Sequence, residues 1–171
     1  MSKVSLSDLN ARDLSGFLAI CGPLFEHSPW IAERTFPLKP FASIDALHAA
    51  LVKTMYAATV DEQVKLIASH PDLVGRLARE GKLTRESTTE QSAAGLNQLS
   101  DTEIADFDRF NSAYRAKFGF PFVICARENK KAAILAAFPL RLKNSREQEI
   151  QTALGEIAKI ANLRLRDAVA E

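Results

Sequence analysis

Cysteine is scarce in this chain of 171 residues: Cys21 and Cys125 are the only two, far apart and without C-x-x-C or Cys/His ligand spacing. That excludes a disulfide framework and offers no zinc pattern, so both thiols read as buried side chains in a reducing compartment. An imbalance of charge is also missing. With 22 basic against 21 acidic residues the formal charge is +1, which gives no global field to favour nucleic acid or an anionic membrane as partner. No apolar run reaches the ~18 residues of a membrane span. No apolar signal region stands near the start, where Asp8, Arg12 and Asp13 lie. The final Ala168-Val169-Ala170-Glu171 is not a Ser-Lys-Leu type address. The expectation from these absences is a cytoplasmic protein with no nucleic-acid and no membrane partner.

What is present is helical patterning and enough apolar content, 47%, to build one sizeable core. Ser5 or Ser7 caps a first helix whose face takes in Leu9, Leu14, Phe17, Leu18 and Cys21 before Gly22-Pro23 ends it. Two prolines between Thr35 and Phe41 rule out helix there. Ser43 caps a helix through Leu47, Leu51, Val52 and Met55, and Asp61 opens another that runs to His70-Pro71. Ser100-Asp101-Thr102-Glu103 fits a capping box ahead of Ile104, Phe107, Phe110, Tyr114 and Phe118, with Gly119 as the stop. Phe120-Pro121-Phe122-Val123-Ile124-Cys125 is the one extended stretch, either crossing the core as irregular chain or presenting backbone groups to a ligand. A further helix is bent or ended near Pro139, and Ser145 caps the last, whose buried face includes Ile150, Leu154, Ile157 and Leu165. The sum is an all-α fold: a single compact domain over residues 1–171 with about six to eight helices.

The chemistry-bearing candidates cluster in two stretches. Pro71 lacks an N–H and pushes the preceding residue out of the α region, so His70 stands at a helix end, and imidazole is the side chain that titrates closest to neutral pH. Ser87-Thr88-Thr89-Glu90 fits the S-x-x-E capping box, which makes Glu90 either a cap or a carboxylate at the positive end of a helix dipole. His70 likewise reads either as an acid/base or as a cap on the last carbonyls. Gln91 adds an amide that both donates and accepts. Arg76, Arg79, Lys82 and Arg85 form a basic connection, either solvated or steering an anion. Glu26, His27 and Trp30 beside Pro29 read as packing. Arg164 either complements the end of its helix or grips a carboxylate with two bonds.

Several motifs occur in order: Phe25-Glu26 with Ser28-Pro29-Trp30, His70-Pro71-Asp72-Leu73, Ser87-x-x-Glu90-Gln91 with Ala94-Gly95-Leu96, Asn111-x-x-Tyr114 with Phe118 to Phe122, and Glu149 through Arg164-Leu165. In this arrangement the chain resembles the OHCU decarboxylase family, the 2-oxo-4-hydroxy-4-carboxy-5-ureidoimidazoline decarboxylases of urate breakdown. The resemblance implies an all-helical homodimer with no metal and no organic cofactor, acting on OHCU as small-molecule substrate and releasing CO2 to give (S)-allantoin. It also implies the roles: His70 and Glu90 catalytic; Pro71, Ser87, Gln91, Phe120, Phe122, Val123, Ile124 and Arg164 in contact with substrate. The rival expectation is a helical interaction module in which His70 and Glu90 are only caps.

Overall fold

In the computed structural model, which describes residues 3–171 apart from the side chain of Leu77, helix dominates throughout. The α-helices are α1 (Leu6–Ala11), α2 (Leu14–Cys21), α3 (Trp30–Thr35), α4 (Ile44–Ala57), α5 (Val60–Ala68), α6 (Arg76–Arg79), α7 (Arg85–Ala93), α8 (Asp101–Phe118), α9 (Lys131–Arg141) and α10 (Arg146–Ala168). Three of these, α1, α3 and α6, have six residues or fewer, so the longer ones match the expected range. The only strand pairing among the described residues is β1 (Val4–Ser5) parallel to β2 (Val169–Ala170). Among the described residues, no helix is long and apolar enough to cross a membrane. The chain divides into two compact units: the residues up to Ser69 with Ala158–Glu171, and His70–Ile157.

In the first unit, short polar side chains decide where helices begin. Ser5 Oγ accepts from the Asp8 amide at 3.0 Å, and Asp13 Oδ1 accepts from Gly16 at 2.8 Å. The second cap splits the predicted first helix into α1 and α2, because a free carboxylate at Asp13 satisfies amides that a continuous helix would spend on carbonyls. Ser43 caps α4 as its sequence suggests, with Ala46 N at 3.0 Å. Helix α5 starts at Val60, one residue before Asp61, and its N-cap is Thr59, which forms a capping box with Glu62. The segment between Thr35 and Phe41 is not extended throughout, since Phe36–Leu38 make one 3-10 turn, with proline in the first turn where its missing N–H costs nothing. Leu9, Phe17, Ile31, Leu47 and Leu51 are fully buried here.

The second unit is organised by α8. Ser100 and Glu103 form its capping box, and Gly119 ends it at φ +80°, the left-handed conformation that glycine adopts without a Cβ clash. Its buried face carries Phe107 and Tyr114 against Phe138, with Tyr114 also edge-on to Phe122 at 5.3 Å and Phe118 stacked on Phe120, while the Phe122 and Phe138 rings stack 3.9 Å apart. Each such ring contributes roughly 1.5–3 kcal/mol by leaving water. Helix α9 continues two residues past Pro139 rather than stopping there. A proline so near the C-terminus removes only one of the last intrahelical bonds. Ser145 and Gln148 exchange the reciprocal bonds of a cap at the start of α10, Gln148 N to Ser145 Oγ at 3.2 Å and Ser145 N to Gln148 Oε1 at 2.8 Å.

Candidate active site

His70 opens the second unit directly after the Ser69 cap of α5, and it is buried. The half-buried Pro71 then forces the chain into a turn over Asp72–Gly75, closed by Gly75 N to Asp72 O at 3.2 Å. Gly75 is required: a Cβ there would meet Asp72 Cβ at 2.8 Å. Val74, by contrast, sits at φ +56°. A β-branched residue in the left-handed region costs roughly 1–2 kcal/mol and persists only where its surroundings hold it.

Three side chains provide that hold. Gln91 Oε1 accepts the buried Val74 amide at 3.1 Å, Asn111 Nδ2 donates to Leu73 O at 2.8 Å, and Arg115 Nε reaches both carboxylate oxygens of Asp72 at 2.9 and 3.0 Å. The turn that follows His70-Pro71 is thus tied to α7 on one side and α8 on the other. Val74 and Asn111 did not stand out as functional in the sequence, and a strained φ leaves no signal in residue type.

Helix α7 begins earlier than its motif suggests. Thr84 is the N-cap, its Oγ1 accepting from Ser87 N at 3.2 Å, so Ser87 is the third helical residue and Glu90 the sixth. Thr84-x-x-Ser87 wins because Arg85 and Glu86 propagate helix readily once a threonine caps them. The capping reading of Glu90 and its place at the helix dipole both fall with this correction. Buried Ser87 and half-buried Glu90 lie three residues apart, on one face of the helix, and Gln91 flanks them. The adjacent flank, bearing Thr88 and Ser92, borders a cavity of about 340 Å³ that also takes in Val74, Leu83 and Gln91. His70 and Glu90 do not line it. The basic connection before α7 is largely neutralised: Arg76 and Lys82 pair with Glu80, and Arg79 with Asp108.

Phe120–Cys125 is buried and irregular, not a strand. With no ladder, its polar backbone is met by side chains: Arg141 Nη1 donates to Val123 O at 2.6 Å, and Cys125 N donates to Glu156 Oε2 at 2.7 Å. Among the described residues, the amides of Phe122, Val123 and Ile124 donate to no protein group. Three successive amides of buried residues without a protein acceptor are unusual and leave donors open to a ligand or to water. Burial first, then the charges of Glu128, Glu156 and Glu90, push the Cys125 thiol up to about 11. The carboxylate of Glu90 is therefore within electrostatic range of the end of this segment. The turn of Ala126–Glu128 that follows packs on α7.

Arg164 belongs to the first unit. Its guanidinium is buried and donates through both terminal nitrogens to Glu26 Oε2 at 3.1 Å, and through Nη1 to Pro23 O at 3.2 Å. It does grip a carboxylate with two bonds, and that carboxylate is the chain's own. Glu26, read as packing, is its partner across 138 positions of sequence.

A helical fold whose second unit holds a buried histidine, a half-buried glutamate and backbone amides without a protein acceptor among the described residues is of the class of small helical enzymes. The sequence profile of the OHCU decarboxylase family matches residues 10–166. The chain is 39% identical over 167 residues to the OHCU decarboxylase of Halalkalicoccus jeotgali, covering 98% of this chain and 93% of that one. It is 37% identical over 166 residues to the Amia calva protein of the same name, covering 97% and 95%. A crystal structure of (S)-allantoin synthase superposes with a TM-score of 0.77 at 28% identity, covering 98% of this chain and 54% of that one. The chain belongs to the OHCU decarboxylase family, carboxy-lyases of urate degradation.

Proposed function

We propose that this chain removes CO2 from OHCU to leave (S)-allantoin, without metal or organic cofactor. The observation that carries the reading is that one unit holds a buried histidine beside a pinned turn, a half-buried glutamate inside α7 whose cap is Thr84, and three successive backbone amides that donate to no protein group among the described residues. When the carboxylate carbon departs as CO2, its bonding electrons pass into the adjacent C=N bond of the ring. The nitrogen of that bond takes up a proton; the hydroxyl on the carbon that lost CO2 then gives up its proton to become the C=O of the product, and the neighbouring ring carbon that bears the ureido group is protonated. No electron sink is needed beyond the substrate, so the protein's task is to hold the C–CO2 bond perpendicular to the conjugated plane and to handle protons. His70 is the proposed proton carrier, with Glu90 orienting the ureido group or sharing the proton. Proton delivery from one face sets the S configuration.

Pro71, Ser87, Gln91, Phe120 and Phe122 are proposed to shape the pocket around the ring. The N–H groups of Val123 and Ile124 are proposed donors to its oxygens, which a dry site strengthens. Arg164 is carried as the anchor for substrate charge on family resemblance. We also propose a cytoplasmic homodimer, to be checked by light scattering of the purified protein. The test of function is circular dichroism of allantoin forming from freshly generated OHCU. A fast rise of the S enantiomer over a slow racemic background is expected, and coincident traces with and without folded protein would overturn the proposal.

A further inference from the structure

The densest polar cluster in the second unit has no part in the chemistry described so far. Glu149 is fully buried, and five donor contacts converge on its carboxylate: Arg141 Nε at 3.2 and 3.0 Å, Arg141 Nη2 at 2.8 Å, Asn144 Nδ2 at 2.8 Å and the Tyr114 hydroxyl. The Arg141 guanidinium also lies 4.2 Å over the Phe122 ring. Burial and the bond to Glu149 hold the Tyr114 phenol protonated far above its ordinary range. Two charges taken out of water in an aromatic core are a weak source of stability, since a well-packed apolar replacement is often as good. What an apolar replacement would not supply is the remaining contact, Arg141 Nη1 to Val123 O.

That contact reaches the segment whose amides are open. Val123 C=O and Ile124 N–H belong to one peptide unit, and the Lys39–Pro40 bond is the only cis peptide among the described residues, so this one is trans. In a trans unit the carbonyl and the N–H point in opposite directions. Fixing the Val123 carbonyl on Arg141 therefore aims the Ile124 N–H away from the charge cluster. The guanidinium also draws electron density from the carbonyl through the conjugated amide, which makes that N–H a stronger donor.

We propose that Arg141, locked by Glu149 and Tyr114, is a positioning residue that orients and polarises the Ile124 amide toward an anionic or carbonyl oxygen of the substrate. The proposal rests on the decarboxylase reading above. Its test is the variant Y114F/R141M/E149L, which removes the charges together and so leaves neither partner buried alone. The expected result is a folded protein with a melting temperature near wild type, KM raised roughly tenfold by loss of the charge-polarised donor, and kcat within about twofold. An unchanged KM in the folded variant would overturn the proposal, whereas loss of stability with KM unchanged marks a merely structural cluster. Should the variant fail to fold, the wild type decides: the Ile124 amide resonance must shift on titration with (S)-allantoin, and a static Ile124 signal at saturation, read while neighbouring signals move, overturns it. Failure of the decarboxylase reading looks different, since the wild type would then give no excess of S product.

Discussion

Replacing Gln91 with alanine tests whether the strained turn is what holds His70. The Gln91 side chain accepts the Val74 amide at 3.1 Å, and both residues are buried. Truncation leaves that N–H without an acceptor, at a cost of roughly 1–3 kcal/mol. Val74 at φ +56° then loses the contact that holds it, and relaxation to an ordinary conformation returns part of the 1–2 kcal/mol of strain. The net expectation is about 1–2 kcal/mol of destabilisation, or a fall in Tm of roughly 2–8 °C for a chain of this size. The turn that relaxes directly follows His70-Pro71, so kcat falls as well. Q91E is the control: a carboxylate still accepts from Val74, so Tm stays near wild type, while the lost amide donor shows as a raised KM. Thermal melts and steady-state kinetics on both variants decide the matter. A Q91A protein that melts within about 1 °C of wild type and keeps its kcat would refute the argument.

Other consequences follow from single features. Glu26→Ala leaves the Arg164 guanidinium buried without its carboxylate, and denaturant unfolding should show a loss of about 3–5 kcal/mol. Val74→Gly removes the backbone strain but also a buried side chain, two terms of about 1–2 and 1.5–3 kcal/mol that nearly cancel, so its urea midpoint should stay close to wild type. Burial pushes the Cys21 thiol up to about 12 and chiefly burial pushes Cys125 up to about 11, so both stay protonated in the folded state where the unfolded chain ionises near 9. Their contribution to stability is complete below pH 9 and is lost as pH rises toward 11–12, which an alkaline series of denaturation midpoints would register. Neither thiol should react with an alkylating reagent near pH 8 until denaturant is added.

Local signals were legible wherever one residue settles the outcome by itself. Ser43, the Ser100–Glu103 box, Gly119 and Pro71 each act within a turn of chain, and the elements they start or stop lie where the sequence puts them. Ambiguity arose where two caps compete. Thr84 and Ser87 are each able to start α7, and which one does so decides whether Glu90 is a cap or a side chain projecting one turn further along. Asp13 in the same way divides what periodicity alone reads as one helix. Contacts between distant positions leave no local trace. Arg141 attracts no notice in sequence, Glu149 stands in a motif that says nothing of its partner, and Glu26 meets Arg164 across most of the chain. The left-handed Val74 is hidden for another reason, since its side chain argues against the conformation that Gln91 and Asn111 hold in place.

The central claim is that His70 moves the proton that turns decarboxylation into an enantioselective reaction. The most direct measurement is the rate of (S)-allantoin formation by H70A against wild type, followed by circular dichroism with each protein confirmed folded. A drop of ~10²-fold or more in kcat, with product falling to the racemic background, is the predicted result. Near-normal turnover of S product by folded H70A would contradict it.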